Sequence, residues 1–169
     1  MAPLIVLISA FAIALLLSWL RHKTVNYPWS GRVAMAVMLL FTAVGHFMYT
    51  EGMALMIPPF LPFKTALVYL TGFLEILFAI GLLLPATSRV TGWLLIFFFI
   101  LLLPANIHAA LHRVDYQQAT FNGKGVSYLW FRIPLQVLFI VWTYLSAVKY
   151  PSIKHNRYNA ATTIEKAIR

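Results

Sequence analysis

The chain contains no cysteine, and only 4 Asp and Glu accompany its 13 Lys and Arg in 169 residues. Without cysteine there can be no structural disulfide, thiolate metal site, CxxCH haem attachment or thiol exchange by the chain's own sulfur. Charge is scarce as well: 10% of residues are charged and 62% hydrophobic, where soluble domains carry about 25% and about 45–50%. A body of this size has too much surface for its volume to hide that many apolar side chains. Its exterior therefore faces lipid. Gly-rich phosphate loops, a nucleophile elbow and HExxH are also missing, which argues against soluble nucleotide or hydrolase chemistry.

What the sequence does contain is five long apolar runs, Leu4–Leu20, Val33–Thr50, Thr65–Pro85, Val90–His108 and Leu129–Val148. A hydrocarbon core of about 30 Å takes about 20 helical residues to cross. None of the runs alternates apolar with polar residues, and lipid forbids open sheet edges, so helices are predicted throughout. No base precedes the first run, and SWLRHK follows it where a signal peptide would need small residues. It is expected to stay as a membrane span.

The bases lie mostly between the runs, which argues for a membrane topology signal and against a nucleic-acid surface. Arg21, Lys23, Arg32, Arg89, Lys149, Lys154, Arg157, Lys166 and Arg169 fall on one side, and Lys64, Arg113, Lys124 and Arg132 on the other. This bias predicts an external N-terminus and a cytoplasmic C-terminus. Residues 1–32 form an N-terminal helix and basic loop, 33–148 a four-helix domain, and 149–169 a basic tail with a short amphipathic helix around Ala160–Arg169. The three prolines of IPPFLPF at 57–63 predict a non-helical outer cap. PATSR at 85–89 is a tight turn, and 109–128 is the largest loop.

An ionisable group inside a span is expensive and needs a partner or a task. Glu75 lies ten residues into the third run, near the bilayer centre, with Thr71 one turn away on the same face and able to donate to it. His46, Asn106, His108, Arg132 and Gln136 are expected in the outer half, together facing one outward-opening polar pocket. His108 and His112 share a face, as do Arg132 and Gln136. A Glu75–Arg132 ion pair that fixes helix register is the structural alternative. Asn106 and Gln136 can equally be helix-to-helix hydrogen bonds, and His108 and His112 ordinary interface residues. Trp19, Trp29, Trp93, Trp130 and Trp142 with Tyr27, Tyr49 and Tyr128 are expected to mark the interfaces. Met48, Met53 and Met56 beside His46 are read as apolar filler more readily than as a copper site. The best metal-ligating set is His46, Glu75 and His108, but no tightly held metal is expected, because partnered polar groups already account for these residues.

GHF at 45–47, MIPPFLP at 56–62, VYLTGFLEI at 68–76, GLLLPATSR at 81–89, PANIHAALH at 104–112 and LWFRIPLQ at 129–136 resemble segments of the DoxX-like family of small bacterial membrane proteins. The resemblance covers about 33–148. It implies an all-α membrane protein, a four-helix transmembrane bundle here preceded by one extra helix, in the bacterial inner membrane. Some relatives are associated with quinone-coupled thiosulfate oxidation and others with membrane complexes of sulfur metabolism and oxidative stress. Carried over, it draws attention to His46, Glu75, Asn106, His108, Arg132 and Gln136.

The first expectation is a pocket that binds a quinone or another small lipophilic molecule and supports redox or proton transfer. Glu75 would carry the proton and His46 would act with it, while Thr71, Asn106, His108, Arg132 and Gln136 would contact the ligand. The alternative is a noncatalytic assembly subunit that binds another membrane or redox protein, its basic tail on anionic lipid. Either reading is compatible with a homo-oligomer. A small-solute transporter is the third reading, disfavoured by the lack of repeats and broken helices.

Overall fold

In the computed structural model, which describes residues 2–150, the chain is helical along most of its length. Helix α1 spans Ala2–His22, α2 Tyr27–Met48, α3 Thr50–Met56, α4 Lys64–Leu83 and α5 Ser88–Leu111. A 3₁₀ turn, Gly125–Tyr128, leads into α6, Leu129–Thr143, which widens into π-helical turns over Tyr144–Lys149. Among the described residues five helical segments are long and apolar enough to cross a membrane, the fifth being the continuous rod Gly125–Lys149. They fit a multi-pass membrane protein. The expected amphipathic helix around Ala160–Arg169 lies outside the described residues, as do Lys154, Arg157, Lys166 and Arg169.

The helices alternate in direction, so the bundle has two ends. The cap end carries α3, the Pro-rich segment and the 112–124 loop. The tail end carries the 23–26 and 84–87 links and Tyr150. Helix α2 sits at the centre: α1 packs chiefly on it, α4 runs along its other side, and the π-helical turns and α6 also touch it. Among the described side chains of helix α1, Leu7, Ala14 and Ser18 are buried. Their spacing of seven and four residues makes one narrow stripe, flanked by partly buried Leu4, Val6, Ala10 and Phe11, and the opposite face of α1 is exposed. The core is Met35, Met38 and Leu39 of α2 against Ala79 and Leu82 of α4, Leu95, Phe98 and Phe99 of α5, and Leu135 and Phe139 of α6.

Two helix boundaries differ from the sequence expectation. Helix α2 begins at Tyr27, not Val33, because the Asn26 side chain accepts from the Trp29 amide at 3.1 Å and Pro28 preorganises the first turn. Arg32 is therefore inside the helix and 2% exposed, not in a basic loop, and it carries little weight in the topology count. At the cap end, α2 stops at Met48 and α3 follows it. Thr50 caps the break by donating its hydroxyl to the carbonyls of His46 and Phe47. As expected, residues 57–63 are not helical. The 112–124 loop folds around an isolated bridge between Asp115 and Thr120, with the Asp115 carboxylate accepting from the Gln117 and Gln118 amides.

Candidate functional site

Glu75 is 4% exposed and stands mid-way along α4. Its Oε1 lies 3.6 Å from His46 Nε2 on α2, and its Oε2 has no hydrogen-bond partner. The two residues meet because α2 and α4 run antiparallel and side chains tilt toward the N-terminus of their own helix. His46 therefore leans inward from the cap end while Glu75 leans outward to meet it. Gly72 makes the approach close enough: a Cβ there would stand 2.9 Å from the His46 Cβ. Sequence reasoning passed over this glycine. Its signal was an isolated Gly between Thr71 and Glu75 in an otherwise bulky helix.

Thr71 orients the imidazole. Its hydroxyl is 3.0 and 2.8 Å from the carbonyls of Leu67 and Val68 and 3.1 Å from His46 Nδ1. The hydroxyl and Nδ1 share a hydrogen bond whose direction follows the tautomer of the ring. Nε2, the other ring nitrogen, faces the carboxyl. Thr71 thus serves His46, not Glu75 as the sequence suggested.

A second polar set joins α5 and α6. Arg132 Nε donates to Asn106 Oδ1 at 3.2 Å and its Nη1 to the Tyr128 hydroxyl at 3.4 Å. Asn106 Nδ2 donates to Gln136 Oε1 at 3.1 Å, and Gln136 Nε2 donates to the Phe99 carbonyl. That carbonyl belongs to the turn loosened by Pro104, whose missing N–H leaves the neighbouring Ile100 carbonyl without its usual donor. Tyr128, expected only as an interface marker, is thus part of a relay that holds the last two spans together.

The single outward-opening pocket does not form. Among the described residues no hydrogen bond or ion pair links His46, Thr71 and Glu75 to Asn106, Arg132, Gln136 and Tyr128. The Glu75–Arg132 pair is absent, since each residue has another partner. Sequence fixed the depth of these groups but not their rotation about the helix axes. His108 also stands apart from the expected metal set: its Nδ1 is 3.1 Å from the Met56 carbonyl and its ring stacks on His112 at 4.1 Å. Among the described residues no three His, Asp or Glu side chains converge on one point. Beside Arg132, Asn106 and Tyr116 is a cavity of about 30 Å³, room for one water and not for a quinone ring.

A third polar feature was not anticipated. Buried Arg32 donates from Nη1 to Ser88 Oγ at 2.9 Å, while its Nε is without a partner. No carboxylate among the described residues pairs with it. Its place beside Ser30 and Gly31, past an Asn-Tyr-Pro helix start, was the available clue.

The profile of a domain family of unknown function, DUF8561, matches residues 35–147, more than half of the chain. The chain belongs to the DUF8561 family. The matched region takes in His46, Thr71 and Glu75 and the α5–α6 relay, and leaves out α1 and Arg32. No curated protein and no solved structure matches the chain.

Proposed function

We propose that this DUF8561 protein handles a proton inside the bilayer at the His46–Glu75 pair, in support of binding or redox conversion of a quinone or a similar small lipophilic molecule. The observation that carries the reading is the buried carboxyl facing an imidazole whose other nitrogen is held by Thr71. An intramembrane ionisable pair is a functional site by default, and this one can take up or release a proton between Oε1 and Nε2 without breaking the helix contact. Beside it Phe47 stacks on Tyr69 at 5.9 Å and meets Phe73 edge-on at 5.3 Å. All three rings are exposed on the outside of the bundle, a surface suited to a flat lipophilic molecule arriving through the bilayer. Electrons would come from a separate redox subunit. The DoxX-like resemblance supports the same reading.

Decyl-ubiquinone binding to the protein in phosphatidylcholine nanodiscs tests this as a function of pH. Glu75→Gln should keep thermal stability within about 1 kcal/mol, because shape and most contacts survive, and should abolish the pH dependence of binding. A structural ion pair predicts otherwise: a loss of about 3–5 kcal/mol in Glu75→Gln, recovered when His46→Gln is added. That result, or an unchanged pH profile, would overturn the proposal. Adding Arg132→Gln should bring no recovery, since Glu75 and Arg132 share no partner.

The noncatalytic alternative draws on the α5–α6 relay, whose polar groups satisfy one another as a purely structural network would. The orientation proposed from the bases puts the cap end outside, at a bacterial inner membrane. Cysteines at exposed Asn122 and Thr24 test it: an impermeant reagent should reach only Asn122→Cys in intact cells, and the reverse would invert the topology. Gly123 is unsuitable, because a Cβ there would stand 2.7 Å from the Val114 carbonyl.

A further inference from the structure

A broad open space lies at the tail end, away from the groups that carry the proposed function. A groove of about 580 Å³ runs between α1, the start of α2 and the π-helical turns. That volume is within the range of small-molecule sites, roughly 300–1,000 Å³. Phe11, Pro28 and Leu145 line it with apolar surface, and Trp142 forms its inner wall. The walls are fixed. Trp142 meets Phe11 edge-on at 4.9 Å and donates its indole N–H to the Gly31 carbonyl at 3.0 Å. Gly31 also admits the wide π turn, since a Cβ there would stand 2.8 Å from the Ser146 Cβ. Phe11 sits near the middle of α1, so the groove extends from the tail-end surface to about mid-depth.

Among the described residues, charge at this end has one sign. Arg21, Lys23, Arg89 and Lys149 are exposed there, whereas the acids among the described residues, Glu51, Glu75 and Asp115, belong to the cap end and the middle of the bundle. Tyr27 and Tyr150 line the groove. The Lys149 ammonium lies 5.4 Å from the Tyr150 ring centre, and the Lys23 ammonium 4.9 Å from that of Trp19. An apolar slot with a lysine folded over an aromatic ring that lines it, at an end carrying further exposed cations, complements one kind of molecule, a membrane lipid with an acyl chain inside and an anionic headgroup at the cations.

We infer that this groove is a binding site for an anionic phospholipid, its acyl chain between Phe11, Leu145 and Trp142 and its phosphate near Lys149. The site is independent of the His46–Glu75 reading and stands or falls without it.

Trp142 provides the readout. A full-length variant with Trp19, Trp29, Trp93 and Trp130 changed to Phe keeps it as the sole indole, and this variant is placed in phosphatidylcholine vesicles containing brominated lipid. Brominated phosphatidylglycerol should reach half-maximal quenching at roughly a fivefold lower mole fraction than brominated phosphatidylcholine, the factor one lysine at an anionic surface supplies. Lys149→Gln should remove most of that preference while leaving phosphatidylcholine quenching intact. Leu145→Phe, which fills the slot, should weaken quenching by both lipids. If Lys149→Gln does not fold, Arg21→Gln with Lys23→Gln removes charge from the same end on a different element and should reduce the preference. Equal half-points for the two lipids, or a preference unchanged by every charge variant, would overturn the inference. Displacement of either lipid by decyl-ubiquinone at equal mole fraction would also overturn it and make the groove a quinone site.

Discussion

Arg32 and His46 lie on the same helix, fourteen positions apart. At about 100° and 1.5 Å per residue they share nearly one face of α2 and stand about 21 Å apart along it. His46, at the cap end, faces a carboxylate and a threonine across a gap opened by Gly72. Arg32, at the tail end, faces a serine, and its Nε has no hydrogen-bond partner among the described residues. Both ends bury an ionisable group, but only the cap end gives it a titratable partner. A proton can move between an imidazole and a carboxyl. A guanidinium keeps its charge whatever its surroundings, so the Arg32–Ser88 contact is a structural clamp between α2 and the start of α5.

The largest effect that would break this comparison comes from the cap-end gap. Gly72→Leu places a side chain where the His46 Cβ already stands and must push α2 and α4 apart. Overpacking of this kind costs about 1–3 kcal/mol, and the upper end is expected because the obstructing atom is next to the backbone. Thermal unfolding in detergent measures the cost. The same variant should lose the pH-dependent binding assigned to His46 and Glu75. A variant that is stable and still binds would show that the pair does not depend on the close approach.

The tail-end clamp should give a somewhat smaller and asymmetric response. Ser88→Ala takes away the one partner of a buried guanidinium and should cost about 2 kcal/mol, in line with hydrogen bonds to charged groups. Arg32→Met removes the charge itself and keeps an unbranched apolar stem, so it should be neutral or stabilising. Equal losses in both variants would mean that Arg32 contributes by its charge, and the contrast with His46 would weaken.

The sequence shows the five spans plainly, because in lipid the hydropathy of a segment is its folding signal. It also marks 57–63 as a break, through three prolines. Helix rotation is where it falls short. Glu75 and Arg132 fit a common depth, yet one points from α4 toward α2 while the other is held between α5 and α6, and no periodicity in helices that are apolar on nearly every face distinguishes these directions. The start of α2 was legible in Asn26 and Pro28 but was hidden by the polar residues Ser30 and Arg32, which break the apolar run. The Trp142–Gly31 bond joins residues 111 positions apart, a distance over which local pattern carries nothing.

The smallest expected effect belongs to Tyr116 in the 112–124 loop. Its carbonyl oxygen is where a Cβ on Gly52 would fall, so the loop is pressed onto α3, and the phenol is half-buried against Tyr49, 5.9 Å between ring centres. Burial raises its pKa above the ordinary 10.0, nearby Tyr128 adds to the rise, and Arg132 opposes it. The folded state thus holds the phenol proton more tightly than the unfolded chain does. The resulting stabilisation is complete below the ordinary tyrosine value and is lost as pH climbs from there through the raised one, because only the unfolded state has then gained by ionising. Tyr116→Phe should flatten this alkaline part of the stability profile and leave neutral pH little changed. An alkaline decline identical in the two proteins would show that the loop does not shield the phenol, and that the cap end is more open to water than its buried His46–Glu75 pair requires.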